Sequence, residues 1–130
     1  MSKLTIPSLR RFNLIAGIVH LLQMTAVLAI STDFSLPVTA TYMAGPPGTV
    51  YSEPIIVFET PLALMVALFL GLSAVAHFIV ASPQFFGRYG KGLEEKRNYF
   101  RWVEYSISSS VMIVLIAQIT GIADVTALVA

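Results

Sequence analysis

Three stretches of this sequence are long and apolar enough to cross a bilayer, and together they contain a single full charge. They run over residues 12–30, 62–81 and 103–122, without any Lys, Arg or Asp, and the one charge is Glu104. A spanning helix needs about 20 predominantly apolar residues. Inside lipid its backbone polar groups must be satisfied within the segment, which selects helix. Only 12% of the 130 residues are Asp, Glu, Lys or Arg, against about 25% in a soluble domain. That is too little charge to wet a surface of this size. A hydrophobic content of 56% also excludes a disordered chain. The expectation is one all-α transmembrane domain over residues 1–130. Its helices lie at about 12–30, 62–81 and 93–122, the third starting before its apolar part, and a fourth begins at about 125, where the chain has just entered another apolar run.

The first segment has a basic start and a passable small-residue site at Ala29-Ile30-Ser31. It is longer than the apolar core of a signal peptide and contains His20 and Gln23, so it reads as a retained helix. The loops set the orientation. Lys3, Arg10 and Arg11 precede the first helix, and Arg88, Lys91, Lys96, Arg97 and Arg101 lie between the second and third. Residues 31–61 hold Asp33, Glu53 and Glu59 and no base. All eight basic residues thus fall on one side, which the positive-inside rule puts in the cytoplasm. The chain is expected in the cell membrane, multi-pass, with the lipid bilayer as its first partner and its N-terminus cytoplasmic. A net charge of +1 favours no nucleic acid, and the absence of cysteine excludes disulfides and thiolate chemistry.

In the loop at 31–61, Val38–Tyr42 and Thr49–Tyr51 are β-prone and Gly45-Pro46-Pro47-Gly48 is turn chemistry. Two readings stand: a short hairpin over the helix ends, or an irregular loop. On the other side, Pro83 stops the second helix and Gly87, Gly90 and Gly92 are expected to break the chain before a helix resumes at Leu93. Ala63, Ala67 and Gly71 recur every four residues, a spacing that lets membrane helices approach closely.

Ionisable groups inside lipid are costly and are the first candidates for function. The first helix has His20 and Gln23 on one face, and the second has Ser73 and His77 on one face. The third has Glu104, Ser108 and Ser109 in a stripe. His20 lies about 12 Å from the cytoplasmic end of its helix and His77 about 6 Å from the end of its own. These groups can line one polar cavity in the inner half of the bundle. Two readings follow: a proton or counterion site, or hydrogen bonds that merely hold helices together. Two histidines and a carboxylate also match a metal set by type, but they come from three helices without local spacing, and no metal site is expected. No Ser-His-Asp order, Gly-x-Ser-x-Gly or His-Glu-x-x-His pattern occurs, and no enzyme chemistry is suggested.

The third segment reads Arg101-Trp-Val-Glu-Tyr-Ser-Ile-Ser-Ser-Ser110, followed by an apolar run. It resembles the third helix of heliorhodopsins and, more distantly, the microbial-rhodopsin pattern of Arg, aromatic, carboxylate, aromatic and paired hydroxyls. The pairing with His20 and His77 adds to the resemblance, which covers essentially the whole chain. It implies a seven-helix light-sensing retinal protein with its N-terminus inside. It further implies Glu104 as counterion of a protonated retinal Schiff base, and His20, Gln23, Ser73, His77 and Asn98 around a cytoplasmic-side polar cavity. Tyr105, Ser108, Ser109 and Met112 would face the retinal. Leu115 stands where outward proton pumps carry a second carboxylate, which fits a sensor better than a pump. Family members tend to form homodimers, with the 31–61 loop as a candidate contact; no signalling partner is identified.

The family attaches retinal to a lysine on its seventh helix. The lysines here are Lys3, Lys91 and Lys96, all outside the apolar segments. The chain therefore reads as the N-terminal portion of such a protein, not expected to bind retinal alone. The reading from another class is a small three-helix membrane accessory protein without chromophore. A reporter active only in the cytoplasm, fused to the N-terminus, is expected to give signal; a silent reporter would overturn the topology.

Overall fold

The computed structural model describes residues 6–130; Lys3 lies outside the described residues. The elements are α1 (Ile6–Ile30), β1 (Ser35–Ala40), β2 (Ile55–Pro61), α2 (Leu62–Ala81), α3 (Pro83–Glu94), α4 (Tyr99–Ile119) and α5 (Val125–Val129). Helices α1, α2 and α4 are long and apolar enough to span a membrane. Their large side chains point mostly away from the chain: Phe12, Leu22 and Ile113 are 65%, 64% and 66% exposed. In water that surface would be prohibitive, whereas in lipid it is the solvated state. The chain is a membrane protein, helical but for one two-stranded sheet.

Close approach of α1 and α2 rests on small residues. A Cβ at Gly17 would sit 2.8 Å from the Phe78 ring, and one at Gly71 would sit 3.0 Å from Met24 Sδ. Ala67 and Ala74 of α2 are also buried. Of the Ala63, Ala67, Gly71 stripe, Gly71 thus lies at the helix contact, as its spacing suggests.

The 31–61 connection is a hairpin. β1 pairs antiparallel with β2, from Ser35 opposite Pro61 to Ala40 opposite Ile55, with a bulge between Val38 and Thr39. The second strand lies later than Thr49–Tyr51, which contributes only a bridge from Tyr51 to Met43. At the tip, Thr49 N–H donates to Pro46 C=O at 3.1 Å. Gly48 takes φ +98°, the left-handed position that follows proline in a type II turn.

A lone two-stranded sheet is marginal in isolation, and this one is tied down. Thr39 N–H donates to Ala123 C=O at 2.8 Å and Leu62 N–H to Phe34 C=O at 3.2 Å. Gln118 Nε2 donates to Thr60 Oγ1 at 3.0 Å, with both residues buried. Val38 is buried beneath the strands.

α1 starts at Ile6 rather than about 12, and between α2 and α5 the helices also depart from the sequence expectation. Residues 83–94 form a helix instead of a glycine-broken loop, and the third spanning helix begins at Tyr99 rather than about 93 and ends at Ile119 rather than 122. The helix at 83–94 has an amphipathic cause. Pro83 stands at the first turn, where its missing N–H costs nothing. Phe85, Phe86, Tyr89 and Leu93 turn inward while Gln84, Arg88 and Lys91 face out. That stripe outweighs the glycine penalty. α3 then closes as a Schellman motif: Arg97 N–H donates to Gly92 C=O at 2.7 Å and Lys96 N–H to Leu93 C=O at 3.0 Å. The left-handed residue is Lys96, φ 58°, so no glycine marks the stop. Gly92 makes room, because a Cβ there would lie 2.8 Å from Arg97 C=O. Asn98 then caps α4, its Oδ1 accepting from Arg101 N–H at 3.1 Å.

The far end of α4 repeats the device. Ile122 N–H donates to Ala117 C=O at 2.9 Å and Gly121 N–H to Gln118 C=O at 3.0 Å. Gly121, at φ +98°, supplies the left-handed turn. Asp124 caps α5 by accepting from Thr126 and Ala127 N–H.

Thr60→Val leaves the Gln118 amide buried without its partner and is expected to cost about 1–3 kcal/mol. Adding Gln118→Leu should restore much of that loss. Thermal unfolding in detergent checks the cycle; strictly additive losses would show the pair to be uncoupled.

Candidate functional site

The end of the bundle carrying α3 brings together most of the polar side chains of α1, α2 and α4. Arg10 ties this end, its Nε donating to Ala81 C=O at 2.8 Å while its guanidinium lies 5.9 Å from the Phe86 ring centre. A cation at the last carbonyls of α2 is favoured by the helix dipole. This contact holds the start of α1 against the end of α2 and sets the depth of the residues above it.

One turn and more into the bundle, His20 and His77 stack with ring centres 5.5 Å apart and planes 11° from parallel. His77 Nδ1 lies 2.9 Å from Asn13 Oδ1, and Asn13 Nδ2 donates to Leu9 C=O at 2.9 Å. Since Oδ1 can only accept, the proton of this bond is on His77 Nδ1. His20 Nδ1 is buried with no hydrogen-bond partner among the described residues.

Glu104 is half-buried on α4. Its Oε1 accepts from Ser73 Oγ of α2 at 2.9 Å and from Ser108 Oγ, one turn along α4, at 3.3 Å. Ser73 and Ser108 are themselves buried. Arg101 lies one turn before Glu104, yet no ion pair joins them among the described residues. Its guanidinium sits 4.2 Å from the Tyr105 ring centre and donates to the Tyr105 phenol. Among the described residues the carboxylate therefore has two hydroxyl donors and no ion pair.

Two cavities flank Glu104. One of about 240 Å³ is lined by Asn13, His77, Tyr89, Asn98, Arg101 and Glu104. The other, an open groove of about 540 Å³, is lined by His20, Ser73, His77, Arg101, Glu104, Tyr105, Ser108, Ser109 and Met112, with Phe69 and Ile113 among its apolar walls. Of the residues singled out from the sequence, His20, Ser73, His77, Asn98, Glu104, Tyr105, Ser108, Ser109 and Met112 thus line these two spaces. Gln23 does not join them; it is exposed on α1, although it is three residues from His20. Ser109 turns its hydroxyl onto Tyr105 C=O of its own helix. Among the described residues no three His, Asp or Glu side chains come together as a metal set.

Asn13 is the site residue that the sequence reading passed over. Its signal was available: a carboxamide inside an apolar segment, seven residues before His20 and so on the same helix face.

Helices of spanning length around a half-buried carboxylate and stacked histidines define a class: integral membrane proteins with polar side chains gathered inside the helical bundle. The particular family follows from comparison with known ones. The chain matches the heliorhodopsin family over residues 9–130 and belongs to it. That family is one of rhodopsin-like retinal proteins. A comparison with curated proteins finds no match.

Asn13→Leu removes the acceptor facing His77 Nδ1 while keeping the side-chain bulk. The ¹⁵N resonances of the His77 ring are expected to shift toward a changed tautomer balance; unchanged resonances would contradict the Asn13 contact.

Proposed function

We propose that this chain supplies the counterion and the inner polar cavity of a heliorhodopsin-type light sensor. The observation that carries the reading is Glu104, an intramembrane carboxylate with two hydroxyl donors and no cationic partner among the described residues. A charge inside lipid without a partner costs several kcal/mol. Bound retinal, as a protonated Schiff base, is a light-absorbing cation of the kind such a carboxylate stabilises.

The residues fit one side of that group. Ser73 and Ser108 hold the Glu104 carboxylate in place. Tyr105, Ser109 and Met112, with Phe69 and Ile113, offer a mostly apolar wall along the groove. Drug-sized ligands occupy sites of about 300–1,000 Å³, so a groove of about 540 Å³ suits one wall of a retinal pocket. His20, His77, Asn13 and Asn98 form the polar space on the cytoplasmic side, where the stacked imidazoles can take up or release a proton. The attachment point is not among these helices: Lys91 is on α3 and Lys96 follows it. On this reading the 130-residue chain forms no retinylidene pigment by itself and serves as the N-terminal portion of one.

The orientation belongs to the same proposal. Arg10, Arg88, Lys91, Lys96, Arg97 and Arg101 gather at the α3 end, which the positive-inside rule makes cytoplasmic. The hairpin then stands outside, and its exposed Ile55–Phe58 run is where a second copy would meet it.

In a complete protein loaded with retinal, Glu104→Gln is expected to move the visible absorption band and let the Schiff base deprotonate at lower pH. An unchanged spectrum would remove Glu104 from the role. The 130-residue chain with all-trans retinal should give no stable visible band that hydroxylamine bleaches; such a band would overturn the division of labour.

A further inference from the structure

On the side of α4 away from the polar groove, α2 and α4 leave a second groove of about 430 Å³. Its walls are Leu72, Val75 and Ile79 of α2 facing Phe100, Val103 and Ile107 of α4. Along α4 it runs from Tyr99 to Ile107, about 12 Å at 1.5 Å per residue. Both walls belong to membrane-spanning helices, so its occupant comes from within the bilayer. Membrane helices pack closely through small residues, and here only Ala76 is small. The lining suits a flexible chain better than another helix.

The two ends of the groove differ. Toward the membrane centre the lining is aliphatic. At the α3 end stands Tyr99, the first residue of α4, whose phenol accepts from Arg97 Nη1 at 3.3 Å. Trp102 lies edge-on to Tyr99, ring centres 5.1 Å apart, an aromatic pair of the type that marks the headgroup level. Arg97 also lies 3.5 Å from Glu95, but their side chains are 54% and 60% exposed. Such surface pairs are weak, whereas a guanidinium binds phosphate with paired hydrogen bonds.

We propose that the α2–α4 groove binds an anionic phospholipid, one acyl chain lying against Leu72, Val75, Ile79 and Val103 and its phosphate at Arg97 and the Tyr99 phenol. The match is one of charge and shape together: an apolar trench that opens at headgroup depth beside a guanidinium. Lys96, adjacent to Arg97, adds positive charge at the same end. Glu104 also lines this groove, so the bound chain closes the lipid side of the carboxylate's surroundings. The proposal does not depend on retinal.

Trp102 is the single tryptophan of the chain, so its fluorescence reports on the mouth of the groove. The full chain is reconstituted in phosphatidylcholine vesicles containing either brominated phosphatidylglycerol or brominated phosphatidylcholine. The brominated anionic lipid is expected to quench Trp102 at about fivefold lower mole fraction, the preference one basic residue confers near the headgroups. Arg97→Gln should abolish that preference, and Arg97→Lys should keep part of it. Val75→Phe, at an exposed lining position, fills the trench and should remove the saturable quenching by both lipids while circular dichroism keeps its helical signal. Equal quenching by the two lipids, a preference that survives Arg97→Gln, or quenching indifferent to Val75→Phe would each overturn the proposal.

Discussion

A carboxylate inside a bilayer has to be compensated, and the arrangement of these helices around Glu104 follows from that requirement. Lipid offers no donor to solvate it. Ser73 reaches it from α2 and Ser108 from its own helix. The first of these bonds fixes how α2 and α4 face one another. The contact between α1 and α2 then carries the histidines into register: Gly17 admits the Phe78 ring and Gly71 admits Met24. His20 and His77 stack where that seam places them, and Asn13 orients His77. Hydroxyls can hold a carboxylate in position but cannot neutralise it. On the proposed function, the positive charge at this site is that of a protonated retinal Schiff base, the chromophore of the family to which this chain belongs.

Both ends of the bundle are built to keep that geometry. At one end Arg10 binds the last carbonyl of α2, while Phe85 and Tyr89 of α3 pack edge-on against Phe100 of α4. At the other end the hairpin is held by Thr39 to Ala123, Leu62 to Phe34 and the buried Gln118–Thr60 pair. α2 and α4 are therefore tied above and below the depth at which Ser73 meets Glu104.

Much of this was legible in the residues. A chargeless apolar run of about 20 residues reads as a spanning helix, and the bounds of α2 read directly as Leu62–Ala81. His20, Ser73, His77 and Glu104 stood out because each is polar where lipid makes polarity expensive. The boundaries of α3 and α4 were harder to read. Their stop is a left-handed Lys96, which resembles any solvated lysine, and the glycine that permits it, Gly92, sits four residues earlier. The three glycines of 87–92 read as breakers, but the inward stripe of Phe85, Phe86, Tyr89 and Leu93 outweighs them. Gln23 misled for a related reason: helical spacing from His20 places it near that face, but a side chain at the margin of a face can turn outward. Asn13 is harder to see because it shares the His20 face from two turns away, with no polar neighbour in sequence to mark it inside the apolar run.

The proposed counterion role requires a Glu104 carboxylate that accepts from Ser73 and Ser108. Infrared spectroscopy of the complete, retinal-loaded protein with ¹³C-labelled glutamate tests this most directly. The account predicts carboxylate bands from Glu104 at neutral pH, identified by their loss in the Gln variant, that shift in frequency when Ser73 is replaced by Ala. A protonated carboxylic acid band in their place, or carboxylate bands unmoved by Ser73→Ala, would contradict it.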